Sequence, residues 1–453
     1  MARYHFSGVA GVGMSPLAQL MRARGHVVQG SDRALDAGKS VEVGARLRAL
    51  GITLVAQDGR AITADLDRFV YSSAVEAETP EMRAARTLGL ECIPRPALLA
   101  EVVNTAAPGV AVAGTSGKST IVGMLAWLLQ ELRVPATVLG GAALQGTGGG
   151  ACFAAGPEHG LVVAEADESD GTLVGYRAGL GLVHNISRDH KEVDELRTQF
   201  DAFAANCRRL LVNARCPEAA ALGRRVKAAT YGAATGANTA LTVSSVGPAR
   251  ASGVLARDGV TLALDVPQPG LHNLENAAAA ATLALELGLE PRAIADALSC
   301  FPGVARRFEV IGTTASGIRV VDDYAHNGEK LRAAITTAQA GAPRVVAVFQ
   351  PHGFSPARFL RPELRELLPS ILRPADRFCY ARIYYAGGTV AQDISSEMLA
   401  ADLPSSLACG HAADHEAARR WVLAEARPGD TVLVMGARDP DLPRLARAIY
   451  ASL

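Results

Sequence analysis

Ala113 to Thr120 reads AGTSGKST, and its residue types are those that hold a nucleotide phosphate. Backbone N–H groups of a tight turn over Gly114, Thr115, Ser116 and Gly117 can converge on an anion, while Lys118 adds a full positive charge. The Ser119 hydroxyl, with Thr120 beside it, is the kind of group that reaches Mg²⁺ in such loops. The full pattern G-x-x-x-x-G-K-[ST] would place glycine at position 112, where this chain has Val112. Taken alone, the shortened motif suits a phosphate cradle and an ordinary strand-to-helix turn equally well.

Two further stretches break the tie. VVAEADESD carries Glu165, Asp167, Glu168 and Asp170 at the end of an apolar run. Such acids repel one another unless a cation is present, although an isolated acidic cluster is more often a solvated turn. VHNISRDH then sets Asn185, Asp189 and His190 directly behind another apolar run. A lone histidine is usually structural. Three parallel strands, however, would deliver Ser119, Glu168 and His190 to one sheet edge, where open α/β folds bind their ligands. Together the three stretches read as a Mg·ATP site.

The elements that must position these residues are also legible. Val110 to Ala113 has the pattern of a strand, and the helix after the loop puts Ile121, Val122, Leu125, Leu128, Leu129 and Leu132 on one face. Short apolar runs ending in glycine or polar turns repeatedly precede amphipathic segments, the rhythm of βα units and parallel sheets. At the start, YHFSG predicts a strand, Met14 to Arg24 a helix closed by Gly25, and HVVQGSD a second strand; RFVYSSAV supplies a later one. Towards the end, IRVVDDY, RVVAVFQ, RFCYARIYY and TVLVMGA predict four more. Pro108 and the Pro302–Gly303 pair mark the block boundaries, and Gly146 to Gly150 reads as a mobile loop.

The opening block also describes a dinucleotide fold, since a strand, a glycine turn, a helix and a strand lead to Asp32. Its glycines are Gly8, Gly11 and Gly13, a G-x-x-G-x-G spacing that inverts the usual fingerprint and argues against NAD.

Length and charge set outer limits. A chain of 453 residues exceeds a single hydrophobic core, so two or three domains are expected. The 45 basic residues match the 45 acidic ones, so the overall balance points to neither nucleic acid nor an anionic membrane. Seven scattered cysteines without a C-x-x-C pair suggest neither a zinc knuckle nor a disulfide scaffold. The N-terminus lacks a signal-peptide pattern and no apolar run reaches spanning length, so a soluble cytoplasmic protein is expected.

With these motifs in order, the chain resembles the Mur ligase family, the ATP-dependent amide-forming enzymes of peptidoglycan assembly. It is most similar to the branch of UDP-N-acetylmuramate:L-alanine ligases. The resemblance rests on GVAGVGMSPLA, GSD, SSAV, AGTSGKST, AEADESDGT, HNISRDH, HNLENAAAA, GVARRFE, VVDDYAHN, FQPH and VMGARD, which span nearly the whole length. It implies an α/β protein of three domains: a Rossmann-like UDP-sugar domain over 1–107, a central P-loop ATPase with a mostly parallel sheet over 108–303, and a C-terminal Rossmann-like acceptor domain over 304–453.

Residue by residue, the resemblance makes Lys118 the β/γ-phosphate clamp and Ser119, Glu168 and His190 the magnesium ligands. His272 and Asn276 become adenine contacts, and Arg307 and Asp322 the partners that a mobile C-terminal domain brings to ATP. Gly11, Val12, Gly13, Met14, Ser31, Asp32, Ser72 and Ser73 would face the UDP-sugar, while Tyr324, His326, His352 and Arg358 would face the acceptor. It implies ATP and Mg²⁺ as cofactors, a sugar-linked acid and an amino acid or peptide as substrates, and a monomer or homodimer. The family route is phosphoryl transfer to a carboxylate, amine attack on the acyl phosphate, and release of ADP and phosphate.

Departures fall on the acceptor side. Where the alanine ligases carry PHRYTRT, this chain reads PHGFSPA, so Gly353 and Pro356 replace two arginines, with Arg358 and Arg361 nearby. Asn327 and Gly328 replace a second histidine and a proline, and Ser116 stands where many relatives have histidine or asparagine. Two other readings therefore stay open: a related ligase for a different acid or amine, in recycling or specialised metabolism, and a non-catalytic ATP-binding homologue.

Overall fold

The computed structural model describes residues 1–453 apart from 73, 74, 76, 77, 148–150, 152, 170, 188–191 and 386–389. The chain forms two compact units. One comprises Met1–Thr242, Val254–Leu264 and Glu275–Phe301; the other comprises Val243–Gly253, Asp265–Leu274 and Pro302–Leu453. Across them run three α/β sheets, one for each domain of a three-domain architecture.

The first sheet contains β1 (Arg3–Ser7), β2 (Val27–Ser31), β3 (Thr53–Val55), β4 (Arg68–Tyr71) and β5 (Glu91–Pro94), all parallel, in the order β3-β2-β1-β4-β5. Strand order reverses at β1, so a crevice opens beyond the carboxyl ends of β1 and β4. The last four residues of β1 are buried, as expected of a strand covered on both faces. Its glycine turn leads into the helix Met14–Ala23, which ends one residue short of Arg24 because Gly25 takes φ +82°.

The second sheet contains β6 (Gly109–Ala113), β7 (Ala136–Leu139), β8 (Phe153–Ala154), β9 (Leu161–Ala166), β10 (Leu180–Val183), β11 (Leu210–Asn213), β12 (Ala229–Gly232), β13 (Thr239–Val246), β14 (Ala251–Arg257) and β15 (Val260–Val266). Their order is β15-β14-β13-β12-β11-β10-β6-β9-β7-β8. Parallel β6 lies between β10 and β9, and Ala113 is level with both Val183 and Ala166. The loops that leave these three strands therefore start at one height. The expected glycine loop overlaps residues 148–150, which lie outside the described residues.

The third sheet contains β16 (Glu309–Thr313), β17 (Arg319–Asp323), β18 (Val345–Gln350), β19 (Arg377–Ala381), β20 (Cys409–Ala412) and β21 (Thr431–Gly436), in the order β16-β17-β21-β18-β19-β20. Only β16 is antiparallel in this sheet. Two strands stop earlier than their apolar patterns suggest. RFVYSSAV ends its pairing at Tyr71, and beyond it the Ser72 carbonyl accepts from Val75 N at 2.9 Å. RFCYARIYY ends at Ala381, opposite Ala412, where its neighbour β20 also stops. Among the described residues no helix is long and apolar enough to cross a membrane.

Candidate active site

The loop after β6 is a backbone cradle. Gly117 takes φ +86° and hands over to the helix Lys118–Glu131, whose first N–H groups face the turn. Asn185, just beyond β10, pins the cradle: its side-chain oxygen accepts from Ser116 N at 2.8 Å and from Thr115 Oγ1 at 3.0 Å. Thr115 N also donates to the Asn185 carbonyl at 3.2 Å. A Cβ on Gly117 would stand 2.5 Å from Asn276 Oδ1 and 2.9 Å from His184 Cδ2. Asn276, expected at the adenine, thus lies against the phosphate loop. His184 is itself held by the buried Tyr231 hydroxyl, which lies 2.7 Å from Nδ1.

Lys118 folds back into this cradle. Its Nζ donates to Glu168 Oε2 at 2.6 Å and to the Gly114 carbonyl at 2.6 Å, with Asp167 at 3.6 Å. Burial disfavours the ammonium, but Glu168, Asp167 and Glu165 outweigh it, so Lys118 holds its proton more tightly than a free lysine. Burial also pushes the Glu168 carboxyl up, and the single ammonium does not fully offset it. The two shifts pull in opposite senses for the ion pair: the neighbouring acids hold the proton on Lys118, while burial, with Asp167 beside it, favours the protonated Glu168.

Ser119 separates the roles of the acids. Its hydroxyl donates to Glu165 Oε1 at 3.1 Å, and Glu165 Oε2 accepts from Gly141 N at 2.9 Å. The acid beside the loop hydroxyl is thus Glu165, whereas Glu168, expected there, holds Lys118. Glu165 follows the loop's own strand register, since it pairs with Val112 across β6 and β9. His190, the third expected metal ligand, and Asp170 and Asp189 lie outside the described residues. Among the described residues no group of three or more His, Cys, Asp or Glu side chains could hold a metal.

The loops of the first sheet gather at its crevice. Val12 is exposed at the tip of the glycine turn, while Gly11 N donates to the Gly8 carbonyl at 3.1 Å. A Cβ on Gly13 would come within 3.1 to 3.4 Å of the Arg95 side chain, so this arginine lies across the turn. Asp32 accepts from Ala10 N at 3.0 Å and caps the next short helix through Ala34 N at 2.8 Å. Two expected contacts are buried instead: the Met14 side chain is in the core, and Ser31 is fully enclosed. Ser73 lies outside the described residues. A cleft of about 600 Å³ runs from Ala10, Val12 and Ser15 to Leu129, Leu144 and Phe153.

In the second unit, the ends of β17, β18 and β21 are level, Asp323 with Met435 and Gln350 with Gly436. Asp322 pairs with Arg306, not with Arg307, at 3.3 Å, and Arg306 also donates to the Gly436 carbonyl at 2.6 Å. Both guanidinium groups lie over the Tyr324 ring, at 5.0 and 5.1 Å. Burial lifts the Asp322 carboxyl to about 7 despite Arg306, with Glu309 and Asp323 pushing the same way. The His326 ring is 5.6 Å from Tyr324 and 5.0 Å from His352. His326 Nδ1 lies 2.9 Å from the Tyr324 carbonyl, which can only accept, so Nδ1 carries the proton. Arg358 is engaged by Asp393, the Ala391 carbonyl and Ser355 Oγ, and Arg361 makes a two-point pair with Asp402 at 2.6 and 2.9 Å. His272 sits in this unit, its pKa lowered by burial to about 4.

Comparison with known proteins accounts for all three sheets. Residues 3–106 match the Mur ligase family catalytic domain, residues 112–284 the Mur ligase middle domain, and residues 306–438 the Mur ligase glutamate ligase domain. A UDP-N-acetylmuramate–L-alanine ligase of Kineococcus radiotolerans is 38% identical, over 97% of this chain and 94% of its own length. This chain belongs to the Mur ligase family. A second such ligase, from Caulobacter vibrioides, is 35% identical over 96% of this chain and 93% of its own. The crystal structure of a UDP-N-acetylmuramate-alanine ligase from Thermotoga maritima superposes with a TM-score of 0.79 at 25% identity, covering 100% of this chain and 99% of that one. The fold is also that of a murein peptide ligase from Psychrobacter arcticus, with a TM-score of 0.69 over 100% of this chain and 98% of that one.

As a Mur ligase the protein is an ATP-dependent carboxylate–amine ligase acting on small molecules. Sequence reading missed three residues around its candidate site. Glu165 was legible only as one acid among four, because motif spacing does not say which carboxylate meets Ser119. Asn185 was seen as a polar residue behind a strand, but its role as the pin of the phosphate loop needs the β6–β10 register. Arg95 had no signal beyond its charge.

Proposed function

We propose that this ligase activates the carboxylate of UDP-N-acetylmuramate and joins it to an amino acid, the reaction named for its relatives. The carrying observation is that Lys118, Ser119, Glu165 and Glu168 meet at the level ends of β6 and β9. The proposed domain limits are 1–107, 108–303 and 304–453, and the proposed compartment is the cytoplasm.

A carboxylate resists amine attack because its charge is delocalised and oxide is not a viable leaving group. In the proposed reaction a carboxylate oxygen attacks the γ-phosphorus of ATP, breaks the bond to the β–γ bridging oxygen and releases ADP. The amine then attacks the acyl phosphate, loses a proton, and the tetrahedral intermediate expels phosphate. Catalysis of such transfers is mainly positioning and charge stabilisation. The backbone cradle would hold the β-phosphate, and Lys118, exchanging Glu168 for phosphoryl oxygens, would follow the charge on the transferred group.

The donor set fits magnesium. Ser119 Oγ and Glu165 are hard oxygens 3.1 Å apart, and Mg²⁺ keeps several waters and takes few protein ligands. When bound, it would neutralise charge on the phosphates, and the surplus of carboxylates over Lys118 supplies the compensating field. His190 remains a proposed third ligand and Glu168 a proposed support of the lysine. Gly11, Val12, Gly13, Asp32, Ser72 and Ser73 are proposed for the UDP-sugar, with Arg95 added as a cation facing its diphosphate. His272, Asn276, Arg307 and Asp322 are proposed for ATP, and Tyr324, His326 and His352 for the acceptor.

The acceptor favours a second reading at one point. Gly353 takes φ +154°, and the two nearby arginines are both engaged by acids, so the planar forks suited to a carboxylate are replaced. This reading keeps the acid and assigns an amine other than L-alanine. One assay separates the readings: ADP and phosphate release with UDP-N-acetylmuramate across a panel of amines. Highest turnover with L-alanine supports the first reading and with another amine the second. AMP formation, or no turnover with any amine, overturns both.

A further inference from the structure

The first sheet encloses a buried imidazole–carboxylate pair that the chemistry above does not use. His5 and Glu81 are both fully buried, and His5 Nε2 lies 3.0 Å from Glu81 Oε1. The other carboxylate oxygen accepts from Ser7 Oγ at 2.5 Å. Gln29 donates through Nε2 to His5 Nδ1 at 3.2 Å and to the Ala61 carbonyl at 2.8 Å. That leaves Nε2 of a neutral imidazole as the proton donor to Glu81. The Ser31 hydroxyl is 3.4 Å from His5 Nε2, Gln57 Nε2 donates to Ser7 Oγ at 3.2 Å, and Phe69 stacks on the imidazole at 5.4 Å. Glu81 lies in the first turn of the helix Pro80–Thr87, whose N-terminal dipole favours a negative charge.

A buried carboxylate is costly unless its hydrogen bonds are met, and here they are met by His5 and Ser7 of β1, with Ser31 of β2 beside His5. Ser7 ends β1 and opens the glycine turn. Ser31 ends β2 and is followed by Asp32; its carbonyl accepts from Gly8 N at 2.8 Å and Val9 N at 2.9 Å. Ser72 directly follows β4, and its N–H donates to the Ser7 carbonyl at 3.2 Å. Ser7 thus ties the glycine turn to Glu81 directly, Ser31 is linked to it through His5, and Ser72 through the Ser7 backbone.

We propose that Glu81, through His5 and Ser7, is a positioning residue for the sugar-nucleotide site. It sets the relative height of the glycine turn, the Ser31–Asp32 step and Ser72 without touching the ligand. The inference rests on the proposed binding of a UDP-sugar at this crevice. The test is calorimetric binding of UDP-N-acetylmuramate to the full-length chain, as wild type and as Glu81→Gln, with steady-state kinetics alongside. Glu81→Gln keeps the volume but loses the charge, and it should raise the Kd and the KM for the UDP-sugar at least tenfold while leaving the KM for ATP unchanged. Ser7→Ala should shift the same constants in the same direction by less, and it decides the matter if Glu81→Gln does not fold. Equal affinity of wild type and variant, or equal loss of ATP and UDP-sugar affinity, overturns the inference. Absence of binding by the wild type overturns the functional reading instead.

Discussion

Lys118 is the residue on which the most chemistry is concentrated. Its ammonium is enclosed with Glu168 and the Gly114 carbonyl, so it is already held where a phosphoryl group would displace the acid. Lys118→Ala is expected to lower ADP release at least a hundredfold, in line with about 2.7–4 kcal/mol for a single charge-stabilising donor. Near-normal release by that variant would remove the site. Glu165→Gln should weaken the dependence of turnover on magnesium, raising the half-saturating metal concentration, whereas Glu168→Gln should act mainly through Lys118 and raise the KM for ATP. A magnesium titration of both variants checks the division. Asp322 gives a residue-scale pH effect. Its folded pKa of about 7 lies above the ordinary value of 3.8, so folding favours the protonated acid. Its contribution is complete below about 4 and is lost as pH rises towards 7. Thermal melts from pH 4 to 8 should show that decline in the wild type and a flatter profile in Asp322→Asn.

At the scale of elements, the phosphate loop depends on a glycine conformation more than on a motif. Gly117 takes φ +86° with Asn276 and His184 packed against the place where a Cβ would stand. A left-handed backbone costs a non-glycine residue roughly 1–2 kcal/mol before any clash is counted. Gly117→Ala is therefore expected to raise the KM for ATP at least tenfold, while circular dichroism shows the fold retained. Val112, by contrast, lies inside β6 and pairs with Glu165, so the glycine missing from the motif falls on a strand position that needs no special φ. Asn185 replaces what the shortened motif lacks: it ties the loop to β10, and Asn185→Ala should loosen ATP binding in the same assay.

For the whole molecule, the sites proposed for the sugar nucleotide and for ATP lie on different sheets, and their binding should be separable. UDP-N-acetylmuramate alone should raise the melting temperature, since a ligand at a hundred times its Kd adds about 2.7 kcal/mol to the folded state. Lys118→Ala should keep that shift while losing the shift given by ATP. A melt of wild type and variant with each ligand checks this, and loss of both shifts together would mean that the two sites are not independent.

The sequence by itself determined the α/β class, the three blocks, and the strand–loop–helix that carries Lys118 and Ser119, because periodicity, glycine turns and motif order are local signals. It also exposed the departures at Gly353, Pro356, Asn327 and Gly328, which are single-residue facts. Only the tertiary structure decided which partner each side chain takes. Four acids in nine residues look alike in one dimension, but the register of β9 against β6 puts Glu165 beside Ser119 and leaves Glu168 to Lys118. Arg306 and Arg307 are likewise adjacent in the chain, and it is the turn before β16 that gives Asp322 to the first. The resemblance put Met14 and Ser31 at the UDP-sugar, yet packing encloses both side chains. The pair His5–Glu81 was invisible because its members are 76 residues apart, and hydrogen bonds across that separation exist only once the strands have paired.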